Sequence, residues 1–267
     1  MFKPVIKGVI RFAYPSDGGF ANEFNSLTDH EAFLFDRARL ERRFQLFEAL
    51  TLRSLRNQTD PDYRVSVLTG EGLPHWALDR LNDGLADIPQ ADIVQLPRMN
   101  HYPATREAFE RLPNEDASHV AGFRLDDDDA MHSETVAKIR KIAVGMSDLS
   151  DLANPFAIGF NRGFFLRLDN SGNTIAEVRE RAPIGIGLTL VVPVAQRSNI
   201  FRRNHRLLHQ YYDCFTDASS PMFIRSVHVD NDSGAVSTGK SSNMSEREID
   251  AALTSGFAID LESLRAL

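Results

Sequence analysis

Cysteine is almost absent from this chain of 267 residues: Cys214 stands alone, so no disulfide can form within it, which fits a reducing compartment. Long hydrophobic runs are missing too. The longest, residues 184–194, is interrupted by Gly185, Gly187, Thr189 and Pro193, so no segment is expected to span a bilayer. The first eight residues, MFKPVIKG, lack the apolar stretch of a signal peptide. Positive charge is in deficit: 30 Lys and Arg against 37 Asp and Glu give a formal net charge of −7. That balance argues against a general nucleic-acid or membrane-surface binder. No Gly-x-Gly-x-x-Gly follows the first predicted strand, and the Gly185-x-Gly187 pair has no helix opening behind it, so a dinucleotide oxidoreductase is disfavoured. The expectation is a soluble, cytoplasmic protein with an ordinary core, since 42% of residues are hydrophobic and 25% charged.

What the sequence does hold is an apolar, strand-like run, residues 118–125, that ends in four consecutive aspartates, Asp126, Asp127, Asp128 and Asp129. Four adjacent like charges repel one another, so the fold must compensate them or leave them in solvent. A divalent cation, Mn²⁺ or Mg²⁺, is the simplest compensation, because hard cations prefer carboxylate oxygens. A solvated turn is the alternative. Strand tips in open α/β sheets are also where ligands bind.

Around this run the chain alternates. Strands are predicted at 5–12, 64–69 and 92–96, with the aspartate-tipped strand fourth. Helices are predicted at 36–56, capped by Asp36, at 76–86 and at 105–112. Such alternation predicts a mostly parallel sheet with crossover helices, its carboxyl edge shared by Arg11, Thr69 and the aspartates. A helix over 133–146, with Ser133 as its cap, opens a second half of different rhythm. There, strands are predicted at 156–160, 163–168, 174–178, 188–192 and 223–229, and a helix at 198–215. Residues 14–30 and 230–244 read as polar loops, Ser245 to Glu248 as a capping box, and Asp260 as the start of a last short helix. With no repeat and no linker, residues 1–267 are expected to form one α/β domain with halves 1–130 and 131–267.

A nucleotide-binding α/β half, a strand ending in Asp-x-Asp and a mixed second half resemble the GT-A fold of nucleotide-sugar glycosyltransferases. The stretch Arg124-Leu125-Asp126-Asp127-Asp128-Asp129 looks like the Asp-x-Asp-Asp pattern of its large inverting family. More closely, the chain is similar to a bacterial family of putative rhamnosyltransferases. The likeness runs through Arg11-Phe12, residues 41–55, Gln58-Thr59-Asp60-Pro61, residues 124–130 and the stretch Val227-His228-Val229-Asp230-Asn231-Asp232-Ser233.

The resemblance implies a GT-A-like fold with residues 1–130 as the nucleotide-sugar-binding half and 131–267 as the acceptor-side half. It implies metal-dependent, inverting transfer of a sugar, rhamnose by the family's name, from a nucleoside-diphosphate sugar to a glycan or other hydroxyl acceptor. Asp126 would face the donor's ribose or sugar, Asp128 would be the main metal ligand, and Asp129 a second ligand or a sugar contact; Asp127-x-Asp129 also satisfies the motif. His228 would complete the metal shell from the second half. Arg106 would face the donor diphosphate, Lys240 would close over it, and Arg11 and Thr69, with Glu71 behind them, would lie near the base and ribose. Inversion needs a carboxylate base; Asp213 is the candidate, with Asp169 and Asp217 as others, and the family's Glu-Asp pair is not evident here. His119, His132 and Cys214 are expected to be structural, Cys214 as a small buried group. Two other readings remain open: a metal-dependent phosphohydrolase using the aspartates and His228, and a noncatalytic carbohydrate- or metal-binding module. The module reading lacks the Asp-x-Asp-x-Asp-Gly spacing of a calcium loop.

Overall fold

The β-branched segments of the first half pair side by side in a computed structural model that describes residues 1–17, 26–228, 239–241 and 244–267. Strand β1 (Pro4–Arg11) is followed by helix α1 (Leu27–Leu34). Helix α2 (Arg37–Leu46) runs through a π-helical stretch, Phe47–Leu52, into α3 (Arg53–Arg56). Then come β2 (Arg64–Gly70), α4 (His75–Leu85), β3 (Ala91–Leu96), α5 (His101–Arg111) and β4 (His119–Asp126). The Asp36 carboxylate accepts the Arg39 N–H at 2.8 Å and starts α2 as its sequence predicts. Strands β4, β1, β2 and β3 lie in that order and all are parallel. Alternate residues of β1 therefore serve two layers. Ile6 and Ile10 pack with Phe44, Phe47 and Leu81 on one face, while Val9 packs with Ala104, Ala108 and Phe109 of α5 on the other. Phe12 sits between the rings of Phe44 and Phe47, 4.7 and 5.1 Å away.

The second half adds β5 (Ala130–Met131), α6 (Thr135–Ser147), β6 (Phe156–Phe160), β7 (Arg162–Arg167), β8 (Thr174–Arg179), β9 (Thr189–Pro193), β10 (Asp213–Asp217), β11 (Phe223–Val227), β12 (Lys240–Ser241), α7 (Glu246–Phe257) and α8 (Leu261–Arg265). Strand β9 joins β4 antiparallel, and β6 and β10 extend that sheet to seven strands, β10-β6-β9-β4-β1-β2-β3. A second sheet, β12-β8-β7-β11-β5, is covered by α7 and α8 through Phe164, Leu166, Ile224, Leu253 and Phe257. The α/β class, the mostly parallel first half and the mixed second half are as expected. Among the described residues no helix is long and apolar enough to cross a membrane.

Three expectations are corrected. Residues 198–215 are not one helix. They form two 3₁₀ turns, Ile200–Arg202 and His205–Gln210, and then β10. The Asn199 and Asn204 side chains accept the N–H groups of Phe201 and Arg206, and each such bond turns the chain locally in competition with helix. Cys214 is exposed on the edge strand β10 and is not a buried filler. Ser133 does not cap α6: Glu134 holds that position without a side-chain bond, and Ser133 N–H donates to the Gly256 carbonyl. Part of the expected 14–30 loop is α1, and its residues 18–25 lie outside the described residues, as do 230–238 and 242–243 of the 230–244 loop and residue 229, the last of the predicted 223–229 strand.

Where the second sheet meets β5, Gly163 allows a close approach: a Cβ there would stand 2.4 Å from Phe223 Cδ2 and 2.5 Å from its carbonyl oxygen. Backbone cannot give way as a flexible side chain can. Gly163→Ala is therefore expected to cost about 3 kcal/mol of stability, read from urea melts; a loss within error would show that β11 can shift.

Candidate functional site: an aspartate turn in an arginine-lined cavity

Parallel pairing of β1 with β4 sets Arg11 directly beside Asp126. The Arg11 Nη2 donates to Asp126 Oδ1 at 3.3 Å, and the Arg124 Nη2 donates to both Asp126 oxygens at 3.2 and 3.1 Å. Beyond Asp126 the chain turns tightly, with the Asp129 N–H donating to the Asp126 carbonyl at 3.3 Å. Thr51, brought under the turn by the π-helical stretch, donates from Oγ1 to the Asp129 carbonyl at 2.8 Å. Inserted π turns recur at functional sites for this reason: one extra residue re-aims a side chain.

The three remaining aspartates are buried, none more than 5% exposed. Asp127 is held by the Arg43 guanidinium through Nη2 and Nε. Asp128 Oδ2 meets Arg43 Nη1 at 3.4 Å and His228 Nε2 at 2.9 Å. Asp129 Oδ1 accepts the Ser226 N–H of β11 at 2.9 Å. Thus residues a hundred positions apart, Asp128 and His228, meet because β11 runs past the turn.

Burial and charge divide the four carboxyls. Burial alone would raise Asp126, but the guanidiniums of Arg124 and Arg11 outweigh it and hold the group well below the usual carboxylate range. Asp128 is likewise lowered, with Arg43 and His228 overcoming burial. Burial wins at Asp127, pushed up to about 6 despite Arg43, and at Asp129, raised well above its ordinary value by burial and by Asp128 and Asp126. Asp126 and Asp128 are the two carboxylates whose charge the fold favours.

These groups line a cavity of about 540 Å³, within the range of small-molecule sites. Seven arginines face it: Arg11, Arg39, Arg43, Arg124, Arg202, Arg203 and Arg225. His101 and His205 line it as well. Burial, then the charges of Arg11 and Arg124, lower His101 to about 3, while Asp126 opposes them; His205 falls to about 4 by burial and Arg124. The buried Nδ1 of His101 has no hydrogen-bond partner among the described residues. The unfolded chain binds a proton near pH 6.5 that folded His101 refuses, so stability is expected to fall as pH drops from about 6.5 towards 3. His101→Gln should make urea stability less steep over that window; an unchanged slope would count against a neutral His101.

The structure brings Arg11, Asp126, Asp128, Asp129 and His228 together. Thr69 is fully buried at the end of β2, its Oγ1 without a partner among the described residues. Arg106 sits elsewhere, beside Glu110 at 3.7 Å on α5, in a second cavity of about 430 Å³ that contains Lys7. Lys240 is exposed on β12 opposite Arg179. Asp213 is exposed at the start of edge strand β10, Asp169 is exposed in a turn, and Asp217 pairs with Lys138 at 3.1 Å. Thr69, Arg106, Lys240 and Asp213 are not among the described residues lining the aspartate cavity. Sequence reading missed Arg39 and Arg43. Their signal was present: both lie four apart beside Leu40 and Phe44, on the buried face of α2.

A divalent cation fits this donor set. Two ligands about 2.1 Å from one octahedral ion stand about 3 Å apart, and Asp128 Oδ2 and His228 Nε2 are 2.9 Å apart. Among the described residues no group of three His, Cys, Asp or Glu side chains closes around an ion.

The model of a family described as putative rhamnosyl transferase matches residues 5–240. No curated protein matches the chain. Among solved structures, S. aureus TarS 1–349 in complex with UDP-GlcNAc is 12% identical at a TM-score of 0.47, over 85% of this chain and 60% of that one. A longer S. aureus TarS structure is 11% identical at 0.47, over 84% and 37%. The chain thus spans three fifths or less of these TarS chains.

Proposed function

The chain belongs to the putative rhamnosyl transferase family, and on that premise we propose that it is a cation-assisted, inverting glycosyltransferase. It moves a sugar, rhamnose by the family's name, from a nucleoside-diphosphate donor to a glycan or other hydroxyl acceptor. The observation that carries this reading is the buried aspartate turn at the carboxyl ends of parallel strands, which fixes Arg11, Arg43 and Arg124 against a cavity.

Breaking the sugar–diphosphate bond builds negative charge on the leaving phosphates, and preorganised cationic groups stabilise it. Arg11 and Arg124, fixed on Asp126, and Arg43, fixed on Asp127 and Asp128, present guanidiniums that need no reorganisation as that charge develops. Asp128 and His228, with Asp129 beside them, would hold Mn²⁺ or Mg²⁺, which supplies Lewis-acid stabilisation of the diphosphate when bound. Asp126, with Arg11 at the neighbouring strand end, would position the donor's ribose and sugar. Asp213 lies outside the cavity, and the scheme gives it no step.

Calorimetric titration with UDP, dTDP and GDP, with and without Mn²⁺, tests the donor site. One nucleoside diphosphate is expected to bind at least about tenfold more tightly with the cation than without it. No binding of any of the three would sink the donor reading.

A further inference from the structure

The charge of the cavity exceeds what a donor needs. Its seven arginines and four aspartates leave a formal surplus of three positive charges in a chain whose net charge is −7. A bound nucleoside-diphosphate sugar brings about two negative charges and a divalent cation two positive ones, so these cancel. The surplus therefore survives donor binding.

The surplus has a location. From Arg181 to Tyr212 the sequence contains no Asp or Glu at all. The two 3₁₀ turns of this segment bring Arg202, Arg203 and Asn204 to the cavity, and both arginines are exposed. They stand apart from Arg11, Arg43 and Arg124, which are tied to the aspartates. The Arg203 guanidinium stacks at 4.4 Å on the ring of Tyr211, itself 49% exposed. An arginine held on a half-exposed tyrosine ring beside a second exposed arginine suits a saccharide that carries acidic groups: the ring holds the Arg203 guanidinium in place at the cavity's edge, and the two arginines offer a fork for phosphate or carboxylate.

Resting on the transferase reading above, we propose that the acceptor is an anionic glycan, with phosphate or carboxylate groups near the accepting hydroxyl, docked on Arg202, Arg203 and Tyr211. The surplus charge steers it in, and the segment's lack of acids avoids repelling it.

The test compares matched saccharides on the full chain, without nucleotide: maltotriose against trigalacturonate, and glucose against glucose 6-phosphate. At low salt, trigalacturonate or glucose 6-phosphate is expected to bind about tenfold or more tightly than its neutral counterpart, and to weaken as salt is raised. Which charged member responds separates carboxylate from phosphate acceptors. The double variant Arg202→Ser/Arg203→Ser changes exposed side chains only. It should lose that preference while keeping its cation-dependent nucleotide binding. The proposal is overturned if neither charged saccharide outbinds its neutral partner, or if the double variant keeps the preference in full. Failure of nucleotide binding in the unmodified protein would strike the donor reading instead, and is seen in a separate titration.

Discussion

Asp128→Ala is expected to abolish cation-dependent nucleotide binding and to lower sugar transfer by about a hundredfold or more. Of the four aspartates, Asp128 combines burial, a place in the cavity, a lowered pKa and a 2.9 Å contact with His228. An anion at neutral pH next to an imidazole nitrogen is what a hard or borderline cation requires. Asp127 and Asp129 are pushed the other way by burial, so each holds its proton more readily. Asp128→Asn keeps the shape and removes the charge, and should behave like the alanine variant. The comparison that decides the register is Asp128→Asn against Asp129→Asn, read by calorimetry with and without Mn²⁺. If Asp129→Asn loses the cation dependence while Asp128→Asn keeps it, the ligand pair is Asp127-x-Asp129 and the argument from His228 is wrong.

How far this site was legible follows from the range of the interactions. The strand rhythm of residues 4–126 and the Asp36 cap are local, and the sequence reading placed them to within a few residues. The aspartates were conspicuous because their charge cost is written in one dimension. His228 was reached by resemblance, and the structure sets it on Asp128 through β11. Arg43 was passed over because a charged residue on a helix is usually solvated; only packing α2 against the turn shows that its guanidinium serves two buried carboxylates. The 198–215 segment was misread because its apolar spacing is compatible with a helix, whereas Asn199 and Asn204 cap two short turns and return the chain to β10. That error hid the basic segment, since on a single helix Arg202 and Arg203 would have read as an ordinary exposed face.

Arg43→Met should be the most destabilising charge change in the site. The Arg43 side chain is 10% exposed and its partners Asp127 and Asp128 are 1% and 7% exposed, so the pair lies in a poorly solvated setting. Methionine keeps most of the volume, so the loss is of charge rather than of packing. It leaves two neighbouring carboxylates without their guanidinium, and removing one member of a buried ion pair costs about 3–5 kcal/mol. For a chain of this size that is a drop of about 10 °C in melting temperature. The same vacancy of charge makes a specific second prediction. A cation held by Asp128 and His228 does electrostatically what Arg43 does, so millimolar Mg²⁺ or Mn²⁺ should restore part of the loss, and stabilise the variant more than the unmodified protein. Thermal melts of both proteins in EDTA and in Mg²⁺ read the two effects together. A variant that melts with the unmodified protein would mean that the Arg43 pairs contribute little to folding. A destabilised variant indifferent to either cation would mean that the buried aspartates answer to guanidinium alone, and would remove the physical basis for placing a metal ion at Asp128.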